Sequence, residues 1–223
     1  MTQAPLPVVV LISGNGSNLQ ALIDGQRAGS LPIEIRGVVS NRADAYGLER
    51  ARSAGIETRV LKHRGYPDRE AYDSALLEAV RAFSPGLVVL AGYMRILSPD
   101  FVAPLEGRLI NIHPSLLPAF RGLHTHERAL EAGLAEHGCS VHFVIPELDA
   151  GPVIVQARVP VLADDTAESL ARRVQAQEHR IYPLAVRWIA EGRAEMRDRV
   201  LYLDGTPRPT PPAITAEDNP ALL

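Results

Sequence analysis

Asn111 and His113 place an amide and an imidazole two residues apart in an apolar stretch of the chain. In an extended segment, residues at this spacing point to the same face. The stretch is interrupted at Pro114, and open α/β sheets bind ligands just outside the carboxyl ends of their strands. The pair suits acyl transfer, because both side chains can donate to an oxyanion and the imidazole can also move a proton.

A carboxylate that orients the imidazole and stabilises its charged form would complete this pair. Asp149 is the leading candidate, because it lies in a turn-rich loop between two predicted strands. The alternative is that Asn111 caps a turn, His113 packs locally and Asp149 begins a turn before Gly151. Catalytic and turn-forming residues occur in the same kinds of loop, so spacing alone leaves both interpretations open.

A glycine-containing segment, Ser13–Asn18, follows an apolar run and precedes a helical pattern. Glycines allow close backbone approach, and the free amides at a helix N-terminus attract anions. The hydroxyl of Ser17 and the amide of Asn18 add further donors. The segment is therefore typical of a site for a single phosphate group.

Other interpretations of this segment remain open. A tight turn capped by Ser17 or Asn18 would have the same composition. A dinucleotide site is less well matched, because Leu19 replaces the third glycine of that pattern. The second predicted strand ends in Ser40-Asn41-Arg42 rather than in the expected acid, although Arg42 could face a 2′-phosphate. A P-loop is absent, since no Gly-Lys-Ser/Thr follows.

The elements that would position these residues alternate along the first half of the chain. Apolar runs of strand length alternate with helical patterns, which predicts βαβ units. The fold class is therefore α/β, a doubly wound, mostly parallel sheet with helices on both faces. The predicted strands are Val8–Ile12, Ile33–Ser40, Thr58–Leu61 and Leu87–Ala91, and the helices are Leu19–Ala28, Ala45–Ala54 and Arg69–Phe83.

The second half continues with strands at Leu109–Ile112, Ser140–Val144 and Ile154–Val159. The spacing of Asp165 and Glu168 predicts a capping box, and it opens a helix that Pro183 should kink or break. Residues 1–205 are expected to form one domain, with a phosphate-binding half to about residue 105 and a catalytic half over about 106–205. Residues 206–223 are rich in proline and polar residues, which predicts a loose tail.

The composition argues against nucleic acid and membranes as binding partners of this protein. The 223 residues are 46% hydrophobic and 22% charged, with a formal net charge of -3, so there is no basic footprint for nucleic acid. The N-terminal apolar run, Val8–Ile12, is too short for a signal peptide or a membrane span. Cys139 is the only cysteine, which fits a reducing compartment, and we expect a cytoplasmic protein. Cys139 itself is more typical of a small buried residue than of a nucleophile.

Five segments, in order along the chain, resemble the phosphoribosylglycinamide formyltransferases. The similarity extends from about Val8 to about Gly205, and its strength lies in the order and number of the segments. They are Ser13–Gln20 (SGNGSNLQ), Ala91–Pro99 (AGYMRILSP), Asn111–Pro118 (NIHPSLLP), Gly122–His126 (GLHTH) and Ser140–Phe143 (SVHF).

The resemblance implies a formyltransferase fold with a Rossmann-like N-terminal half, and a step of purine biosynthesis. It implies 10-formyltetrahydrofolate as cosubstrate and glycinamide ribonucleotide as acceptor, with no metal. It also implies that Asn111, His113 and Asp149 form the catalytic triad. A homodimer is possible.

The resemblance further implies the substrate contacts. Gly16, Ser17 and Asn18 would take the phosphate of the acceptor, and Glu178 would contact its ribose. The folate would lie against Arg69, Leu90, Met94, Arg95, Ile96, Leu97, Val102 and Leu109. Without the family, Arg69 and Glu178 would be interpreted as solvated surface residues, and the buried aliphatic residues as core.

The chain departs from the family pattern in a few places. Ala150 stands where the family usually has glycine, and alanine would strain the loop if the position needs a positive φ. Phe120-Arg121 and Glu127-Arg128 also differ. None of these belongs to the triad, so we expect changes in loop dynamics and substrate affinity rather than in the reaction.

Three other functions are considered. A formyltetrahydrofolate hydrolase shares the three residues but uses water as acceptor, and in that family the phosphate loop is replaced. A methionyl-tRNA formyltransferase carries a basic domain for RNA, whereas this chain is mildly acidic. A non-catalytic nucleotide-binding module would keep the phosphate loop without needing the triad.

A metal site at His124 and His126 is weakly supported, because no carboxylate or thiol partner is evident.

Overall fold

The computed structural model describes residues 4–219. These residues form two compact units, divided between Asn111 and Ile112. The division lies a few residues beyond the half-way boundary expected near residue 105. A single domain over residues 1–205 stays a prediction.

The first unit contains a five-stranded parallel sheet with strand order β5-β4-β1-β2-β3. Strands and helices alternate along the chain, and this confirms the predicted α/β class with a mostly parallel sheet. The strands are β1 (Leu6–Ile12), β2 (Ile33–Ser40), β3 (Thr58–Val60), β4 (Leu87–Leu90) and β5 (Leu109–His113), the last of which runs two residues into the second unit. The helices are α1 (Ser17–Arg27), α2 (Gly47–Ser53), α3 (Arg69–Arg81) and α4 (Pro99–Val102).

The centre of the first sheet consists of continuous apolar strands. Val8–Ile12 in β1 is 0% exposed, and all of β4 is buried. Such strands occur where a parallel sheet is covered on both faces. Burial of these aliphatic side chains removes apolar surface from water, which is the main stabilising contribution to a core of this kind.

The strand order places a topological switch point between β1 and β4. The chain passes from β1 to β2 on one side, whereas β4 pairs with β1 on the other. Open α/β sheets bind ligands in the crevice outside the carboxyl ends of the strands at such a point. Two loops flank this crevice, the glycine loop (13–16) after β1 and the loop of residues 91–98 after β4.

The second unit has antiparallel pairing between β6 (Glu136–Phe143) and β7 (Val153–Pro160). A small antiparallel sheet follows, formed by β8 (Ala194–Arg197), β9 (Val200–Leu203) and β10 (Thr206–Pro207). The helices are α5 (Thr125–Glu131) and the long α6 (Ala167–Ala190), which packs on β6 and β7.

Helix α6 differs from its prediction at two points. Its N-cap is Thr166, which exchanges hydrogen bonds with Ser169, so the capping box lies one residue later than the spacing of Asp165 and Glu168 indicated. Of the kink or break expected at Pro183, the break is wrong, because the helix continues to Ala190, whereas a kink stays a prediction. Residues on both sides of the proline are buried in the core, and this packing keeps the helical turns together despite the missing amide.

The expected loose tail is wrong for residues 206–219. The segment β11 (Ala213–Ile214) pairs in parallel with β7, and Ile214 is only 3% exposed. Arg180 of α6 donates to the carbonyl of Thr215 at 2.9 Å and also to that of Asp218. Backbone pairing and one buried side chain thus hold a segment whose composition is typical of disorder. Residues 220–223 lie outside the described part.

Within residues 4–219, no helix is both long enough and apolar enough to cross a bilayer.

Candidate functional site

The glycine loop makes a sharp turn between β1 and α1. Gly16 is the N-cap of α1 and has φ +74°, a left-handed conformation that glycine adopts without steric cost. A Cβ atom at Gly16 would lie 2.6 Å from Cα of Gly47, so the close approach of the two backbones also requires glycine. Helix α1 begins at Ser17. Because its N-cap residue is a glycine, no N-cap side chain accepts a hydrogen bond from the amides of the first turn. This geometry is typical of anion-binding helix N-termini.

Helix α2 holds the glycine loop from the side. Gly47 donates its amide to the carbonyl of Gly14 at 3.0 Å. Arg50 donates to the carbonyl of Asn15 at 2.9 Å and to its side-chain oxygen at 3.0 Å. Sequence reasoning missed Arg50, because nothing in its spacing links it to a loop 35 positions earlier. Its guanidinium adds a positive charge beside the predicted phosphate site.

The loop after β4 exposes apolar side chains. Met94 is 68% and Ile96 is 60% exposed, although large apolar residues of this kind usually pack inside. Between them, Arg95 lies with its guanidinium carbon 4.7 Å from the centre of the Tyr72 ring. Exposed apolar residues beside a polar crevice are typical of a ligand surface.

The other predicted folate contacts lie in different surroundings. Leu90 and Leu97, at the two ends of this loop, are 6% and 9% exposed. Val102 in α4 and Leu109 in β5 belong to the core, with 2% and 0% exposure. Arg69 begins α3, is exposed and forms an ion pair with Glu70 at 3.4 Å. Contact of these residues with a folate stays a prediction.

Two of the three predicted catalytic side chains lie together in the second unit. His113 Nδ1 is 3.5 Å from Asp149 Oδ2, and the two side chains are 7% and 8% exposed. The other ring nitrogen, Nε2, is 2.9 Å from the carbonyl oxygen of Phe120, so it carries a proton and donates it there. The carboxylate on one side and the carbonyl on the other hold the imidazole in one orientation.

The loop that carries Asp149 is shaped by backbone constraints. Asp149 itself has φ +48°, a region in which aspartate is tolerated better than most residues. Ala150 has no positive φ, so the strain expected at this position is absent. A Cβ atom on Gly151 would lie 1.8 Å from the carbonyl oxygen of Phe143, which explains the glycine. The left-handed residue of this turn is therefore the acid and not its neighbour.

Asp149 faces a second imidazole that sequence reasoning missed. His142 Nε2 lies 3.7 Å from Asp149 Oδ1, and His142 Nδ1 donates to the carbonyl of Phe143 at 2.9 Å. Burial lowers the pKa of His142 from 6.5 to about 4, although Asp149 acts in the opposite direction. The place of His142 in the family-like segment Ser140–Phe143, in the strand that leads to the Asp149 loop, was the available signal.

The segment after His113 is held by a buried polar network. Ser140 accepts a hydrogen bond from the amide of Leu117 at 3.0 Å and donates to the carbonyl of Ser115 at 2.6 Å. Gln156 donates to the carbonyl of Leu117 at 2.9 Å. Buried polar groups whose partners are all present fix a unique conformation. The network thus fixes the turn that ends β5.

Asn111 and Glu178 occupy the remaining predicted positions. Asn111 lies in β5 two residues before His113, is half-buried and pairs in register with Leu90 of β4. Glu178 is half-buried in α6 of the second unit. Their roles at an oxyanion and a ribose stay predictions.

Two further histidines form a pair in the second unit. His137 Nε2 lies 3.2 Å from His126 Nδ1. Burial is the largest cause that lowers the pKa of both, to about 4 for His137. His124, considered with His126 for a metal, instead lies 3.8 Å from Glu127. Among residues 4–219, no group of three or more His, Cys, Asp or Glu side chains is arranged to hold a metal ion.

A cavity of about 270 Å³ opens beside Asp149 within the second unit. Its lining includes Leu117, Pro118 and Val153, and also Arg208 of the C-terminal segment. The C-terminal segment, expected to be loose, therefore contributes to the surroundings of the Asp149 loop.

The chain is similar to known proteins over most of its length. Residues 6–186 match the model of a family described as formyl transferase. The phosphoribosylglycinamide formyltransferase of Escherichia coli (strain K12) is 57% identical over 198 residues, which cover 89% of this chain and 93% of that protein. The human trifunctional purine biosynthetic protein adenosine-3 is 49% identical over 189 residues, or 85% of this chain and 19% of that protein.

Comparison with solved structures leads to the same family. The phosphoribosylglycinamide formyltransferase from Coxiella burnetii superposes with a TM-score of 0.89 at 53% identity, over 94% of this chain and 99% of that one. Glycinamide ribonucleotide transformylase 1 from Symbiobacterium toebii has a TM-score of 0.88 at 50% identity, over 91% of this chain and 95% of that one. The chain therefore belongs to the formyl transferase family and, within it, to the phosphoribosylglycinamide formyltransferases.

Proposed function

We propose that this chain transfers the formyl group of 10-formyltetrahydrofolate to the amine of glycinamide ribonucleotide, a step of purine biosynthesis. The observation that carries the proposal is the buried His113–Asp149 pair at the end of β5, with Nδ1 3.5 Å from the carboxylate. Formyl transfer needs a group that moves a proton from an amine to a departing nitrogen, and an imidazole oriented by a carboxylate suits that step.

The acceptor is assigned to the glycine loop through its phosphate. Gly16, Ser17 and Asn18 stand at the N-terminus of an 11-residue helix, whose dipole and free amides favour a negative group. The protein as a whole has a net charge of -3, so the attraction for an anion must be local. Arg50 supplies a positive charge beside the loop. Glu178 is proposed to contact the ribose.

The formyl donor is assigned to the loop after β4. Met94 and Ile96 expose apolar surface that an aromatic pterin or benzoyl group would cover. Arg95 beside them offers donors to the polar edge of such a ring system. Arg69, Leu90, Leu97, Val102 and Leu109 are proposed as further contacts or as the packed support behind them.

In the proposed mechanism, the acceptor amine attacks the formyl carbon directly. Asn111 and His113 donate to the formyl oxygen as negative charge develops on it, and loss of one such donor costs about a hundred- to a thousandfold in turnover in other enzymes. His113 then passes the proton of the amine towards the departing nitrogen of the folate. Asp149 orients the ring and stabilises its charge. The mechanism requires neither a covalent enzyme intermediate nor a metal.

His113 Nε2 cannot donate to substrate and to Phe120 at once. In the structure it donates to the carbonyl of Phe120 at 2.9 Å. Phe120 has φ +51°, an uncommon conformation for a bulky residue. We infer that the segment around Phe120 moves when the substrates bind, which releases this proton for the reaction.

We place the reaction in the cytoplasm, since the single cysteine is a buried free thiol and the expected substrates are small and soluble. A homodimer stays a prediction.

The experiment that tests the function is a steady-state assay with purified protein, glycinamide ribonucleotide and 10-formyltetrahydrofolate. Release of tetrahydrofolate and appearance of the formylated acceptor are followed together, beside a control without acceptor. We expect both products in equal amounts, and only when the acceptor is present. Folate release without acceptor would identify a hydrolase, whereas binding of the ligands without reaction would identify a nucleotide-binding module.

A further inference from the structure

Ser13 is the residue at which the two loops of the crevice in the first unit are joined. It follows directly after β1 and is 4% exposed. Neither the phosphate assignment nor the folate assignment includes it. Its backbone amide donates to the carbonyl of Gly92 at 3.2 Å, so the start of the glycine loop already pairs with the loop after β4.

The side chain of Ser13 adds two hydrogen bonds in opposite senses. Its Oγ accepts a hydrogen bond from the backbone amide of Met94 at 2.8 Å. Its hydroxyl proton is donated to Oδ1 of Asn41 at 2.6 Å. A serine hydroxyl has one proton to donate, and Asn41 takes it, so the Oγ lone pairs are left facing Met94.

Asn41 fixes the direction of this hydroxyl from the end of β2. It stands one residue beyond the strand and is 8% exposed. The three residues thus connect the carboxyl ends of β1, β2 and β4, which surround the switch point of the sheet. A buried polar network of this kind holds its members in one arrangement when every partner is present.

We propose that Ser13 is a positioning residue that sets the glycine loop and the loop of residues 91–98 in register with each other. The proposal rests on the proposed function, in which the first loop holds the acceptor and the second the formyl donor. Ser13 itself is buried and its hydroxyl is engaged by Asn41 and Met94, so it is not among the residues assigned to either substrate. Loss of its hydroxyl would therefore weaken the binding of both, because the amide of Met94 loses its partner and the backbone bond from Ser13 to Gly92 is left to join the two loops.

Arg50 provides the matched comparison. It binds the carbonyl and the side chain of Asn15, and thus supports the glycine loop. Its third side-chain hydrogen bond runs to Gln20 in α1 and not to the loop after β4. Removal of Arg50 should therefore affect the acceptor alone, whereas removal of the Ser13 hydroxyl should affect both substrates.

The test compares Ser13→Ala with Arg50→Ala by steady-state kinetics with each substrate varied in turn. Loss of a hydrogen bond that leaves its partner unsatisfied corresponds to about five- to a hundredfold in an equilibrium constant. We expect Ser13→Ala to raise KM for both substrates within this range, with a smaller change in kcat, and Arg50→Ala to raise KM for the acceptor only. A Ser13→Ala enzyme with one or neither KM changed would overturn the proposal.

Amide hydrogen exchange gives a readout that does not depend on activity. In Ser13→Ala, exchange should become faster at Met94 and in residues 14–18 together, while core strand β4 stays protected. Unchanged exchange at Met94 would overturn the proposal. If the wild-type protein transferred no formyl group, the proposed function would fail, yet the exchange experiment would still decide whether Ser13 couples the loops.

If Ser13→Ala does not fold, Asn41→Ala tests the same network, because it frees the hydroxyl to rotate away from Met94. We expect the same rise in both KM values to a smaller degree. A rise confined to one substrate, or unchanged values for both, would count against the coupling.

Discussion

Asp149 Oδ2 lies 3.5 Å from Nδ1 of His113 and also accepts the backbone amide of Gly122 at 3.0 Å. The Nε2 proton of His113 is bound by the carbonyl of Phe120 in the same short segment. One segment, residues 120–122, therefore contacts both the carboxylate and the imidazole. Movement of this segment would change the surroundings of both groups together, which links its position to the reactivity of the pair.

The phosphate assignment predicts that Ser17→Ala and Asn18→Ala weaken acceptor binding. Hydrogen bonds to a charged group contribute about 1.5–3 kcal/mol, so KM for glycinamide ribonucleotide should rise about tenfold or more. KM for the folate should change little. Ser30→Ala, at an exposed site beyond the other end of α1, serves as control. An unchanged acceptor KM in both variants would refute the phosphate site.

The donor assignment predicts that Ile96→Ala weakens folate binding. The side chain is 60% exposed in the structure, so the fold loses little when it is shortened. The substitution removes three carbon atoms, and a bound ring system would cover the exposed 60% of the side chain. At about 0.8 kcal/mol per methylene this loss is roughly 1.4 kcal/mol, which is about a tenfold rise in folate KM. Leu162→Ala, at a site that is 48% exposed, is the control. Equal folate KM in both variants would argue against a contact at Ile96.

The buried histidine pair predicts a loss of stability in mild acid. Burial lowers the pKa of His137 from 6.5 to about 4, so the unfolded chain binds a proton at a higher pH than the folded one does. The free energy of unfolding should therefore fall as the pH drops from about 6.5 towards 4. Urea unfolding at pH 7 and pH 5 measures this difference.

In His137→Gln this acid-dependent loss should be smaller, since one of the titrating groups is gone. The remainder is expected from His142, whose pKa is also lowered to about 4, and from His126, whose pKa is lowered by burial. If the wild-type and variant proteins lose the same amount between pH 7 and pH 5, His137 does not contribute to acid sensitivity.

The C-terminal segment predicts a measurable contribution to stability. Ile214→Ala removes a side chain that is 3% exposed, and such substitutions cost about 2 kcal/mol or more. Chemical unfolding of the variant measures this loss. Thr210→Ala, at an exposed site in the same segment, should leave the unfolding free energy within about 0.5 kcal/mol of wild type. Equal free energies of unfolding for the two variants would show that packing of this segment does not stabilise the fold.

The first sheet was predictable because its strands bury both faces and therefore consist of continuous apolar residues, as in Val8–Ile12. His113 and Asp149 were identified because their chemical types and their places after strands suited acyl transfer and matched a family. In the structure these two side chains lie 3.5 Å apart in the second unit, and their catalytic roles stay predictions.

Other features depend on contacts that spacing does not reveal. Ser13 meets Met94 across 81 positions of the chain, and Arg50 meets Asn15 across 35. The strand β11 has only two residues, too few to show a period, and it forms because β7 offers an edge for pairing. Pro183 remained inside a helix because core packing outweighed its local preference.

The most direct test of the proposed chemistry is single-turnover formyl transfer by Asp149→Asn and His113→Ala with both substrates saturating, together with acceptor binding measured by calorimetry. We expect the rate constant of transfer to fall by about a hundred- to ten-thousandfold in both variants while the acceptor Kd stays near that of wild type. A wild-type rate in either variant, or a formylated enzyme trapped during the turnover, would contradict the account.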